Sequence, residues 1–221
     1  MITERPLLKK EIKALNRDLN QIKKRNLTQF KFLIGWALLA IIVGSIFYFI
    51  LDSENEHYLL LGTVIVYILI GVWNFTENYL KHDRQRKSID FALENNRATS
   101  IKVVSNDYIE LSEIEDDGVN YLFQLADNKI LSFGGQDFYQ TKKFPSNDFE
   151  IAVCYGLKDE IVLLEKYVYG EKLLPRIKIT GQKKWDLLSS PKFPDPDKFI
   201  VIEGQLDDIN ELINGKINNP S

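Results

Sequence analysis

The residues that could carry chemistry are few. There is one cysteine, Cys154, and there are two histidines, His57 and His82. A lone cysteine excludes an internal disulfide framework and a cysteine-based zinc site, and two histidines leave almost no room for histidine-based metal or triad chemistry. Cys154 alternates with apolar neighbours and has no histidine in its own part of the chain, so it reads as a reduced core residue rather than a nucleophile. His57 and His82 read as a loop residue and a juxtamembrane polar residue. The run Glu113 to Gly118 contains four acids but lacks the alternating oxygen ligands and distal glutamate of a calcium loop, and reads as a solvated turn. Gly134-Gly135-Gln136 matches a catalytic tripeptide of translation termination factors in letters only, and two glycines are too little for a phosphate loop. No catalytic residue, metal or cofactor is expected. The segment Leu131 to Asp148 offers more. Gln136, Asp137 and Tyr139 follow the glycine pair, and Lys142-Lys143 is a basic island in acidic surroundings, so these five could bind an anionic small ligand. The plainer alternative is a loop with an aromatic anchor.

The elements that would hold such a loop are set by an uneven distribution of charge. Residues 32–51 and 58–76 contain no charged side chain. Twenty residues of helix rise about 30 Å, the thickness of a bilayer's hydrocarbon core, so the pattern predicts two transmembrane helices joined by the short acidic loop 52–57. Trp36, Phe47, Tyr48 and Phe49 on the first span, and Tyr58, Trp73, Phe75 and Tyr79 on the second, suit the two interfaces. Lys13, Arg17, Lys23, Lys24, Arg25 and Lys31 precede the first span and Lys81, Arg84, Arg86 and Lys87 follow the second, while the loop has no Lys or Arg. The positive-inside tendency then puts both termini in the cytoplasm and the loop outside. Neither span holds an ionisable group that would mark a transport path. Gly35, Ala40, Gly44, Gly62 and Gly71 allow close helix packing, most simply within one hairpin.

Residues 1–31 read as a basic cytoplasmic segment with a helix over 6–29 that opens at Pro6. Leu8, Ile12, Leu15, Leu19 and Ile22 form a heptad seam, continued in polar form by Asn26 and Gln29. Such a seam serves self-association as a coiled coil, packing on the helix after the second span, or contact with the membrane surface. The first two are favoured, because interfacial aromatics are missing until Phe30. Residues 77–97 read as a juxtamembrane helix ending at Asn95-Asn96.

From residue 98 the hydrophobic period becomes two, and seven or eight short strands follow, with a hairpin at Asp127-Asn128, a bent or edge strand at Pro175, and a final helix Leu206–Asn214. A small β-barrel-like or rolled-sheet domain over 98–221 is expected, giving a membrane α + β chain. This part holds 14 basic and 21 acidic residues, against 14 and 10 in the first 97. An acidic β domain is a poor match for nucleic acid.

The stretch DGVNYLFQLADNKILSFGGQDFY…FPSNDFEI (117–151) is similar to a segment of uncharacterised bacterial membrane proteins, which implies a bacterial origin and no particular activity. In layout, two spans followed by a small β domain resemble two groups. One is the bacterial pleckstrin-homology-like membrane proteins, whose domain ends in a helix as Leu206–Asn214 would. The other is the two-transmembrane effectors of nucleotide-triggered antiphage systems. The expectation is a non-enzymatic binding, scaffold or sensor module anchored in the bacterial inner membrane. Its partners would be the lipid bilayer, further copies of itself, and a protein or small ligand of the β domain. The alternative is a membrane-perturbing effector whose β domain senses a small nucleotide and clusters the hairpins.

Overall fold

Arg5, Glu11 and Leu8 show how the chain enters its first helix. The Arg5 guanidinium donates two hydrogen bonds to the buried Glu11 carboxylate, at 2.9 and 2.7 Å, and the Leu8 N–H donates to the same carboxylate at 2.7 Å. A glutamate three residues in, reaching back to a free N-terminal N–H, is half of a capping box. Pro6 therefore closes a short strand, where its missing N–H costs nothing, and the helix opens later than the sequence suggests.

The computed structural model describes residues 2–50, 54–126, 128–189, 193 and 198–208. In chain order these form β1 (Ile2–Pro6), α1 (Lys9–Ile50), α2 (Glu54–Asn95), β2 (Arg97–Val104), β3 (Tyr108–Leu111), β4 (Val119–Leu125), β5 (Lys129–Gly135), a 3₁₀ turn (Gln136–Phe138), β6 (Asp148–Tyr155), β7 (Ile161–Val168), β8 (Ile177–Ile179), α3 (Gln182–Leu188) and β9 (Ile200–Glu203). Each long helix has 42 residues, about 63 Å at the usual rise. The basic N-terminal segment and the first apolar run are thus one helix, since only isolated glycines interrupt them. The second apolar run and the charged stretch after it are another. That helix stops where Asn96 takes a left-handed φ of 50°.

Among the described residues there are two sheets, in the orders β1-β2-β6-β7 and β8-β3-β4-β5-β9. Neither closes, which corrects the expected barrel. Closure needs the first and last strands of one sheet to pair, whereas here each sheet keeps two edges. Period-two patterning marks strands but does not say which strands meet. The parallel pairing of β3 with β8 (Ile109 opposite Ile177, Leu111 opposite Ile179) is a long-range choice that no local turn signal announces. Of the expected strand around Pro175, only a bridge from Lys172 to Ser146 and the short β8 exist, on either side of the proline. Leu206–Asp208 are helical, and the rest of the expected C-terminal helix lies outside the described residues, as do Asp127, Leu51 at the end of the first expected span, and residues 52 and 53 of the expected loop. Glu54–His57 belong to α2.

The chain divides into two compact units, Glu4–Thr99 with Val153–Leu164, and Met1–Thr3 with Ser100–Ala152 and Glu165–Ser221. In the first, Leu15, Ile22, Ile89, Ala92, Cys154 and Leu163 form the core, with Ile12, Leu19 and Leu93 packed on it. In the second, one cluster gathers Ile109, Leu111, Leu122, Ile130, Ile179, Leu187 and Leu206. Tyr108, Tyr121, Phe123, Phe133, Phe144 and Phe149 form a set of touching rings. Tyr108 stacks on Phe123 at 4.9 Å, and Phe144 meets Phe149 edge-on at 5.2 Å.

Candidate functional site

Two places can be built from the residues upward: the helical hairpin and the loops beside the five-stranded sheet.

In the hairpin, the Trp36 indole lies flat on the Tyr67 ring, 4.3 Å between centroids and 4° from parallel, and its Nε1–H donates to the Tyr67 carbonyl at 3.1 Å. Gly71 makes this possible. It lies one turn beyond Tyr67, and a β-carbon there would sit 2.6 Å from Trp36 Cδ1. At the other end of the pair, Gly44 faces Val64, whose Cγ2 would lie 2.8 Å from an added β-carbon, and Ala40 is buried. Gly35 and Gly62 have nothing within 4 Å of such an atom, so they take no part in this contact. Of the five small residues, three are thus in the helix pair and two are not. Beyond the apolar stretch, His82 Nδ1 and Asn26 Oδ1 lie 2.6 Å apart, which continues the contact in polar form.

The heptad seam lies in the same unit. Leu15 and Ile22 are buried, and Ile12 and Leu19 pack on the cluster containing Ile89, Ala92 and Leu93 of α2, while Leu8 is exposed. The structure therefore places most of the seam against α2. Cys154 is buried in this cluster. Burial, and then the nearby Glu11 carboxylate, push its thiol up to about 11, which keeps it protonated at neutral pH.

At the sheet loops, the five residues singled out in the sequence separate. Gln136 donates to the Asp116 carbonyl at 2.8 Å, and Tyr139 donates to the Glu113 carboxylate. That hydrogen bond, then loss of solvent and the nearby Glu113 and Asp116 charges, raise the Tyr139 phenol to about 12. The Asp137 carbonyl accepts from Lys166 Nζ, while Lys142 and Lys143 are exposed. Gln136 and Tyr139 thus lace this segment to the loop 113–116, where Glu115 and Asp116 both have left-handed φ. Gly118 is required there, because a β-carbon would lie 2.3 Å from the Gly135 backbone and its φ is 79°.

Sequence reasoning missed the buried ionic groups of this region. Glu110 on β3 is 1% exposed. It pairs with Lys178, its neighbour across the parallel ladder, at 2.8 Å, and also accepts from Gln140 and from Ser112. A buried carboxylate requires such partners. Lys184 on α3 is wholly buried; its ammonium donates to the Gly118 carbonyl at 3.2 Å, and burial pulls its pKa down. The only available signal was a glutamate amid apolar residues in YIEL, and its partner lies 68 positions on. Among the described residues no group of three or more His, Cys, Asp or Glu is placed to hold a metal ion. The polar groups of these loops are joined mainly to one another.

No known protein family, curated protein or solved structure matches the chain.

Proposed function

We propose that α1 and α2 cross the inner membrane of a bacterium as a hairpin with both chain ends on the cytoplasmic side. The sheet-bearing part then acts there as a non-enzymatic binding, scaffold or sensor module for a protein or small ligand. One observation carries this reading. Both helices are long and apolar enough to cross a membrane, yet only 6% of the apolar stretch of α1 and none of that of α2 is buried. Phe32, Ile42, Phe49, Leu59, Leu69 and Trp73 are among the large side chains left open. A soluble protein that left such side chains in water would forgo roughly 1.5–3 kcal/mol for each, whereas a bilayer covers them. The basic residues flanking the apolar stretches, and the lack of any in residues 52–57, support the orientation. The lacing of Gln136 and Tyr139 to the loop 113–116 supports a preformed surface rather than a catalytic one.

The test is topological. In a Cys154→Ser background, a membrane-impermeant maleimide should label Ser53→Cys on intact spheroplasts and Lys142→Cys only after permeabilisation. Labelling of both from outside would refute the orientation, and recovery of the unfused chain in the soluble fraction would refute the membrane reading.

A further inference from the structure

We infer that the hairpin holds a phospholipid with a primary-ammonium headgroup, of the phosphatidylethanolamine type, in a cavity where the helices leave the hydrocarbon core; this rests on the membrane-spanning reading above. The cavity has a volume of about 260 Å³ and lies between α1 and α2. Its lining includes the apolar Phe32, Leu33 and Ile70 and the carboxamides Gln29, Asn74 and Asn78. Along each helix the apolar members fall inside the uncharged run and the carboxamides at or just beyond its cytoplasmic end. A phospholipid beside the hairpin offers the same gradient, from acyl chain to polar head.

The carboxamides decide which head. Asn78 donates to the Asn74 carbonyl at 2.9 Å and to its side-chain oxygen at 2.7 Å, so these two residues are engaged with each other. The side-chain oxygen of Gln29 is buried and meets no donor. An acceptor in that state costs free energy until a donor reaches it, and to meet a ligand in the cavity it must turn about the last side-chain bond. An ethanolamine ammonium carries three N–H donors, while choline, of the same charge, carries none.

The experiment places the full-length chain in nanodiscs containing equal amounts of lipids with the same acyl chains. Their headgroups are ethanolamine, its N-monomethyl and N,N-dimethyl forms, choline and glycerol, and the lipids retained after detergent extraction are counted by native mass spectrometry. The wild type should retain the ethanolamine lipid about fivefold over the choline lipid, the discrimination one hydrogen bond supplies. The mono- and dimethyl forms, which keep a donor, should behave like ethanolamine. Gln29→Leu should abolish the preference with unchanged helical circular dichroism, and Gln29→Glu, which keeps acceptor oxygens, should retain it. Equal retention of ethanolamine and choline lipids, a preference that survives Gln29→Leu, or stronger retention of the glycerol lipid would overturn the inference. A chain that fails to float with vesicles would overturn the membrane reading and this inference together. One that floats without headgroup preference overturns the inference alone.

Discussion

Replacing Gly71 with alanine should weaken the helix pair far more than the same change at Gly35 or Gly62. The added β-carbon would lie 2.6 Å from Trp36 Cδ1 and 2.9 Å from Nε1, where carbon atoms normally keep about 3.5–4.0 Å. The rigid indole must move by about 1 Å, and its 3.1 Å hydrogen bond to the Tyr67 carbonyl does not survive such a shift. The lost hydrogen bond costs about 1 kcal/mol, the disturbed stack on Tyr67 about 1 kcal/mol, and residual crowding about 1–3 kcal/mol. Alanine's better helix propensity returns about 1 kcal/mol, so the net destabilisation is roughly 2–4 kcal/mol. At Gly35 and Gly62 nothing lies within 4 Å, so alanine there should be neutral or slightly favourable. Thermal unfolding of the full chain in nanodiscs measures the difference. With Trp73 and Trp185 changed to phenylalanine, the fluorescence of Trp36 reports whether the indole has left its place on Tyr67. If Gly71→Ala melts and emits as the parent does, or if Gly35→Ala and Gly62→Ala fall equally, the packing argument is refuted.

Two further outcomes follow from the buried polar groups. Glu11→Ala removes the buried carboxylate that both the Arg5 guanidinium and the Leu8 N–H reach, and should cost about 2–4 kcal/mol in denaturant unfolding followed by circular dichroism; Glu11→Gln, which keeps the contact with Leu8, should cost less. A second trend concerns alkaline pH. Burial raises the Tyr108 and Tyr121 phenols above their unfolded value of 10.0, so the stability this reflects is present below pH 10 and lost as pH rises beyond it. Cys154, raised from 9.0 to about 11, begins the same decline near pH 9, and Lys184, with its pKa lowered by burial, opposes it. The melting temperature should therefore fall above about pH 10, and less steeply in Tyr121→Phe. A flat profile to pH 11 would contradict it.

How far the sequence could be read depended on whether a feature is local. Charge-free runs, period-two stretches and a left-handed asparagine are properties of a few adjacent residues. They led directly to both long helices, to most strands and to the end of α2 at Asn95–Asn96. What joins distant residues was not legible. The parallel pairing of β3 with β8 and the separation of nine strands into two open sheets depend on which apolar faces find each other, and alternation alone carries no such address. Likewise Glu110 could not be matched to Lys178, nor Lys184 to the Gly118 carbonyl, without the fold. The binding-loop candidates were chosen by residue type, which cannot reveal that Gln136 and Tyr139 already have partners in loop 113–116.

The heptad seam shows the same limit from the other side. Its spacing specified a narrow apolar stripe on a helix and left the covering surface open, because any apolar partner satisfies a stripe equally well. In the fold, Leu15 and Ile22 are covered by Ile89, Ala92 and their neighbours, which α2 brings alongside because the two long helices return against each other. The polar continuation of the stripe follows the same contact: Asn26 meets His82, and the next residue in the register, Gln29, lines the cavity, its side-chain oxygen buried and unpaired. One register therefore runs from a buried apolar core through a satisfied polar pair to an unpaired acceptor at the edge of the uncharged run. A helix pair built only for stability would end in a satisfied group, as Asn26 and His82 do. The unpaired group lies where the uncharged run begins, and that is why the headgroup of a lipid, rather than a second protein helix, is the occupant to test first.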